Sequence, residues 1–435
     1  MLTEKQVVTP NDHKMTAAWW DAFLDKCKNF SETIVIPDVL SDEACEDMST
    51  MTLNAVREIC NRKNSSYDFR FYLGTTHMDE EYLEKNVYPY PPIPGETFEG
   101  WAKRVFTDLK FGIILNFGEK FSPQLAELIG NYAHPLLEKI GIPVNGTCIT
   151  IFMGNYGYTP LGIHQDHKGE NVIHFHLGPG GKIMYNWEAE AFKALGGYQN
   201  YMDIEKVLPE ATAFPFKKGD IFYMPWDKFH IGYSDELSIG VSLWFNNITR
   251  KKMTDKLLTS IQTQYISQDD KTITKPEKDL NNLQGFKEIE ALLNLDDEVK
   301  DLTVEEFLNH TYKEYVSALF SNGGWRARPL SLEQEENYNE NEFEQLRGKT
   351  VQRVFPFVLH HKITGNKLII YCRASKIEIN YHPELINIIT MLNSGESFLT
   401  GDLTAGLSKE WPEEAGLYFL SLLYNRRGIQ IVDPA

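Results

Sequence analysis

The run Asn171-Val172-Ile173-His174-Phe175-His176-Leu177 is followed by Gly178-Pro179-Gly180-Gly181 and then by Lys182-Ile183-Met184-Tyr185-Asn186-Trp187. Two β-prone runs around a glycine–proline turn predict two strands joined as a hairpin. The neighbouring sequence has the same character. Residues 147–153, 211–216, 221–224 and 238–245 are further strand-length runs, and helical periodicity is absent from 144 to 245. At least six short strands with turns between them predict a β-barrel or double-sheet jelly roll. Residues 188–208 interrupt the pattern as a helical or irregular insertion.

Outward from this core the chain is mixed, so the expected class is α+β. Ahead of the core, residues 1–15 are polar and read as a loose arm. Residues 16–30 carry Trp19, Trp20, Phe23 and Leu24 at helical spacing. Ser41 is placed to cap a helix whose first turn holds Asp42 and Glu43. Residues 33–36, 68–73 and 112–116 read as strands and 98–108 as a helix. Ser122-Pro123 opens a further helix reaching residue 140.

Beyond residue 248 the strand pattern stops. Residues 250–265, 288–295 and 304–319 read as helices, with Thr303 capping the last; 267–282 and 333–344 read as polar linkers or loops. Strand-like runs at 354–359, 367–373 and 376–379 precede a helix at 383–393, stopped by Gly395. A short helix at 400–403, a longer one at 413–426 and a strand at 428–432 complete the outline of a winged-helix unit. The expected division is 1–249 for the β core with its leading helices, 250–345 for a helical region, and 346–435 for the winged-helix-like domain. No internal repeat of fixed period is present.

The chain has 435 residues and a formal net charge of −18. Such acidity disfavours binding to nucleic acid, whose phosphates need a basic surface. The acidic side chains of 384–414 argue in the same way against DNA binding by the C-terminal unit. Five cysteines without a Cys-x-x-Cys pair argue against a disulfide framework or structural zinc and suit a reducing compartment. The first residues lack an apolar signal segment, and no apolar run has membrane-spanning length. A cytoplasmic protein with no membrane partner is expected.

The chemistry-bearing residues lie inside the β-rich region. Gly162-Ile163-His164-Gln165-Asp166 holds a His-x-Asp, and residues i and i+2 of an extended segment share a face. A second imidazole, His230, follows the segment Gly219-Asp220-Ile221-Phe222-Tyr223-Met224-Pro225, at the mouth of the next turn. Two imidazoles and a carboxylate form the facial ligand set of non-haem Fe(II) oxygenases. A competing pair is His174-x-His176, but no acidic residue follows until Glu188, so barrel lining or packing fits it better. Lys182 stands where a cation would meet the distal carboxylate of a metal-chelating 2-oxo acid.

Residues 146–247 resemble the JmjC and cupin-like 2-oxoglutarate oxygenases, and most nearly their ribosomal-protein oxygenase branch. The resemblance rests on the His-x-Asp, the later lysine and the proline-containing run before His230. It implies His164, Asp166 and His230 as ligands of Fe(II), and Lys182 as the residue that binds 2-oxoglutarate. No catalytic residue beyond the metal ligands is then required. Where the branch carries Asn and Tyr beside the co-substrate, this chain has Thr150 and Phe152; Thr150 can hydrogen-bond and Phe152 cannot, and Ser242 is a further polar neighbour. The loop 167–170 is longer than is usual there. The layout of a barrel, a helical dimerisation region and a winged helix implies a possible homodimer and a protein or peptide substrate. The expected reaction is hydroxylation of an amino-acid side chain. The same chemistry on a free amino acid or small metabolite, and a non-catalytic cupin-like binding protein, remain as alternatives.

Overall fold

A computed structural model describes residues 15–63, 68–269, 271–281, 283–332, 342–407 and 411–432. Residues 1–14 of the arm expected at 1–15, and most of the polar loop at 333–344, lie outside the described residues. The chain forms two compact units, one of 1–247 with 319–435 and one of 248–318.

In the first unit, strands β1 (Ile34–Ile36), β2 (Phe69–Leu73), β3 (Thr76–His77) and β4 (Phe111–Asn116) precede the core. The core strands are β5 (Thr147–Gly154), β6 (Gly157–Tyr158), β7 (His164–Gln165), β8 (Glu170–Pro179), β9 (Lys182–Glu188), β10 (Thr212–Phe216), β11 (Ile221–Met224), β12 (Lys228–Ser234) and β13 (Ser238–Asn246). One antiparallel sheet runs β1-β11-β8-β13-β5-β4-β2-β3; the other runs β10-β9-β12-β6, with β7 also on β12. The chain therefore alternates between two sheets, the strand order of a jelly roll.

Two sequence expectations fail here. β8 and β9 do not form a hairpin, because they belong to different sheets. The Gly178–Gly181 turn is a corner between sheets, pinned where Gly180 N–H donates to Leu237 O at 2.8 Å. The segment after Pro225 is not a turn at His230; it is β12, which pairs with β9 over six residues from Lys228 to Tyr233.

Alternation along the larger sheet separates core from cavity. On β5, Ile149, Ile151 and Met153 enter the main hydrophobic core, whereas Cys148, Thr150 and Phe152 line a cavity. On β13, Ile239, Val241 and Leu243 take the core side, and Ser242 and Trp244 the cavity side. The core side is covered by helices α1 (Ala17–Lys26), α2 (Asp42–Arg62), α3 (Glu80–Asn86), α4 (Phe98–Phe106), α5 (Gly118–Phe121) and α6 (Pro123–Ile140). Ser41 Oγ accepts from Ala44 N–H at the start of α2, and Ser122 Oγ from Leu125 N–H at the start of α6. These caps meet donors that the first helical turn leaves unpaired. Short helices α7 (Ala189–Ala194) and α8 (Ile204–Val207) fill the insertion.

The C-terminal part of this unit has its own hydrophobic core, which includes Val351, Ile370, Ile388, Ile389, Leu417 and Leu420. Two three-stranded antiparallel sheets build the region. One orders Phe398–Leu399, Thr350–Arg353 and Ile429–Val432; the other is the meander His360–Thr364, Lys367–Cys372 and Ser375–Asn380. Helices Pro383–Asn393, Thr400–Thr404 and Glu413–Asn425 complete it. The strand expected at 354–359 is instead a turn after Thr350–Arg353, around Pro356, whose ring nitrogen cannot donate to a ladder.

The second unit is helical. Arg250–Tyr265 is capped by Thr249, Gln284–Glu290 is short, and most of Val304–Ser321 belongs here. Tyr265 meets Phe307 edge to face at 5.1 Å, and Lys256 Nζ lies 4.4 Å from the Tyr315 ring centroid. No helix among the described residues is long and apolar enough to cross a membrane. All five cysteines are free and buried.

Candidate metal and co-substrate site

Strand pairing brings the two imidazoles together. His230 on β12 is the direct cross-strand partner of His164 on β7, and their ring centroids are 4.3 Å apart. Asp166 follows β7 by one residue. One ligand atom from each of His164, Asp166 and His230 lies within 4.8 Å of the others. His164 Nδ1 is 2.8 Å from Gly162 O, and His230 Nδ1 is 3.2 Å from Lys228 O. A carbonyl only accepts, so each Nδ1 carries the proton and each Nε2 keeps its lone pair for a ligand.

The electrostatics suit a cation. Burial, followed by the neighbouring His230, lowers His164 to about 4. Burial likewise lowers His230 to about 4, so both rings are neutral at pH 7. Burial raises Asp166 to about 7, and its buried Oδ2 has no hydrogen-bond partner among the described residues. An unpaired buried carboxylate oxygen beside two neutral imidazoles is a donor set that a divalent ion satisfies.

The three residues line a cavity of about 420 Å³ between the two sheets. Lys182, only 5% exposed, lines it too. Its Nζ donates to Tyr156 Oη at 3.0 Å and lies 5.1 Å from the Phe152 ring centroid. It forms no ion pair among the described residues. Gly232 makes room for it, since a Cβ there would stand 2.9 Å from Lys182 Cε.

Thr150 and Ser242 also line the cavity, as opposed residues of β5 and β13. Thr150 Oγ1 is 3.4 Å from Asn116 Oδ1, and Ser242 Oγ is 2.9 Å from His174 Nδ1. His174 and His176 are buried, and neither joins the three-residue donor group. His176 Nε2 is 2.7 Å from Gly180 O. Sequence reasoning missed Tyr156, Thr159, Arg70 and Arg326. Tyr156 and Thr159 sit in a loop without strand period, Arg70 on a strand outside the core, and Arg326 far along the chain.

The chain is similar to the ribosomal oxygenase YcfD of Escherichia coli. A YcfD structure in complex with cobalt and 2-oxoglutarate is 14% identical, with 95% of this chain and 98% of that chain covered and a TM-score of 0.48. A YcfD complex with cobalt and succinic acid has the same identity and coverage and a TM-score of 0.47. No family model matches the chain, and no curated protein is significantly similar to it.

Proposed function

We propose that the chain is an Fe(II)- and 2-oxoglutarate-dependent dioxygenase that hydroxylates an amino-acid side chain of a protein or peptide. The observation that carries this reading is a buried lysine, without a counter-ion among the described residues, in the same cavity as a His-Asp-His donor set. A metal site alone fits many chemistries. The added buried cation calls for an anionic co-substrate.

His164, Asp166 and His230 would hold the ion, leaving further positions for co-substrate and oxygen. The bound iron and 2-oxoglutarate supply oxidative decarboxylation to succinate and CO2, coupled to insertion of one oxygen atom into a C–H bond. Lys182 and Tyr156 bind the distal carboxylate and orient the co-substrate. Phe152 holds its ring against the ammonium and keeps water from it. Thr150 and Ser242 lie on the inner wall as polar neighbours of the co-substrate. Residues 1–249 would form the oxygenase domain, 250–345 a dimerisation region and 346–435 a winged-helix-like substrate-docking domain, in a cytoplasmic homodimer.

Incubation of the full chain with Fe(II), 2-oxoglutarate and O2 tests the reading. It requires succinate from the wild type and none above background from His164→Ala. Equal succinate from both would refute it. Peptide mass spectrometry on treated lysate then tests the protein substrate: a mass gain of one oxygen on a peptide supports it, and a gain confined to small metabolites contradicts it.

A further inference from the structure

Three buried N–H donors lining the cavity lack an acceptor among the described residues: Arg70 Nε, Trp244 Nε1 and Arg326 Nη2. Neither arginine forms an ion pair among the described residues. Buried donors without acceptors are costly, so three around one cavity mark a place where an acceptor belongs.

Two of them lie away from Lys182. Lys182 Nζ is over Phe152, which pairs with Gly240, and Trp244 lies four residues further along β13. At strand rise that is about 13 Å. Arg326 is fixed at the Trp244 end. Its backbone N–H donates to Thr147 O at 2.8 Å, and its Nε donates to Asn145 O at 3.1 Å. Arg70 reaches in from β2, close enough for its charge to act on His164.

The lining cations are Lys182, Arg70 and Arg326, and the lining carboxylates are Asp166 and Glu170. Buried Glu119, outside the lining, feels the charge of Arg326, but its oxygens accept from the N–H groups of Ile149 and Ala327. We infer that the substrate presents a carboxylate to Arg326, Trp244 and Arg70, while Glu170 accepts an N–H from the same molecule. This rests on the 2-oxo acid reading, which assigns Lys182 to the co-substrate. The carboxylate is either the side chain of an acidic residue in a peptide or the α-carboxylate of a free amino acid.

Calorimetry under nitrogen tests this on the full chain with Mn(II) and 2-oxoglutarate. The probes are terminally blocked Gly-X-Gly peptides, with X as Asp, Glu, Asn, Gln or Arg, and free L-Asp, L-Asn and L-Arg. Either the blocked acidic peptides or the free amino acids bind at least tenfold more tightly than the carboxylate-free peptides, and which group does so names the source. Arg326→Met and Arg70→Met each erase that preference, Arg326→Lys keeps part of it, and Trp244→Phe weakens it several-fold. Carboxylate-free peptides that bind equally well, no binding of any carboxylate probe, or a preference that survives both methionine variants would overturn the inference. If the chain takes up no metal, the proposed function fails instead, and the same preference is read on the metal-free chain.

Discussion

Two histidine pairs share one jelly roll. His164 and His230 face each other across two strands, while His174 and His176 sit two apart on one strand. Burial lowers all four, so desolvation does not distinguish the pairs. Their surroundings do. The first pair has an unpaired carboxylate beside it and backbone carbonyls at each Nδ1. Each ring of the second likewise uses one nitrogen, on Ser242 or Gly180, and leaves the other without a partner among the described residues, but no carboxylate converges with them. A donor set needs a carboxylate and free lone pairs converging, not merely adjacent imidazoles.

The comparison breaks most sharply on metal uptake. His164→Ala or Asp166→Ala should lower Mn(II) affinity at least ~100-fold by calorimetry, as loss of one of three ligands removes most of the chelate. His174→Ala should still bind one Mn(II) but lose about 2–4 kcal/mol of stability in denaturant titration, from the cavity and the lost Ser242 contact. Equal metal loss in both variants would erase the distinction.

Lys182→Met should raise the KM for 2-oxoglutarate ~30-fold or more, the loss of a buried charge-assisted pair, while metal affinity holds. The pH dependence sharpens the picture further. Asp166, raised to about 7, must lose its proton to bind metal, whereas the histidines compete only near pH 4. Metal affinity should therefore rise about tenfold per pH unit up to pH ~7 and then level off. Proton release measured in two buffers below that pH should approach one per ion. Gly232→Ala should have the smallest effect, a several-fold rise in the KM for 2-oxoglutarate as the new methyl displaces Lys182 Cε.

Much of this site is legible in the sequence because its signals are local. The His-x-Asp and Lys182 stand inside β-rich runs, and alternation reports the strand lengths. Pairing is not legible. Nothing local tells that Gly178–Gly181 turns a corner between sheets rather than closing a hairpin, because both need the same residues. Pro225 predicts a turn at His230, yet β9 supplies a partner that draws 228–233 into a ladder. Arg326, at the other end of the cavity from Lys182, and Arg70, on β2, are brought in by tertiary packing that no sequence period reports.

The most direct test is anomalous diffraction from crystals of the full chain grown with Mn(II). The account predicts one strong peak bounded by His164 Nε2, Asp166 Oδ2 and His230 Nε2. A peak at His174 and His176 instead, or none within reach of Asp166, would contradict it.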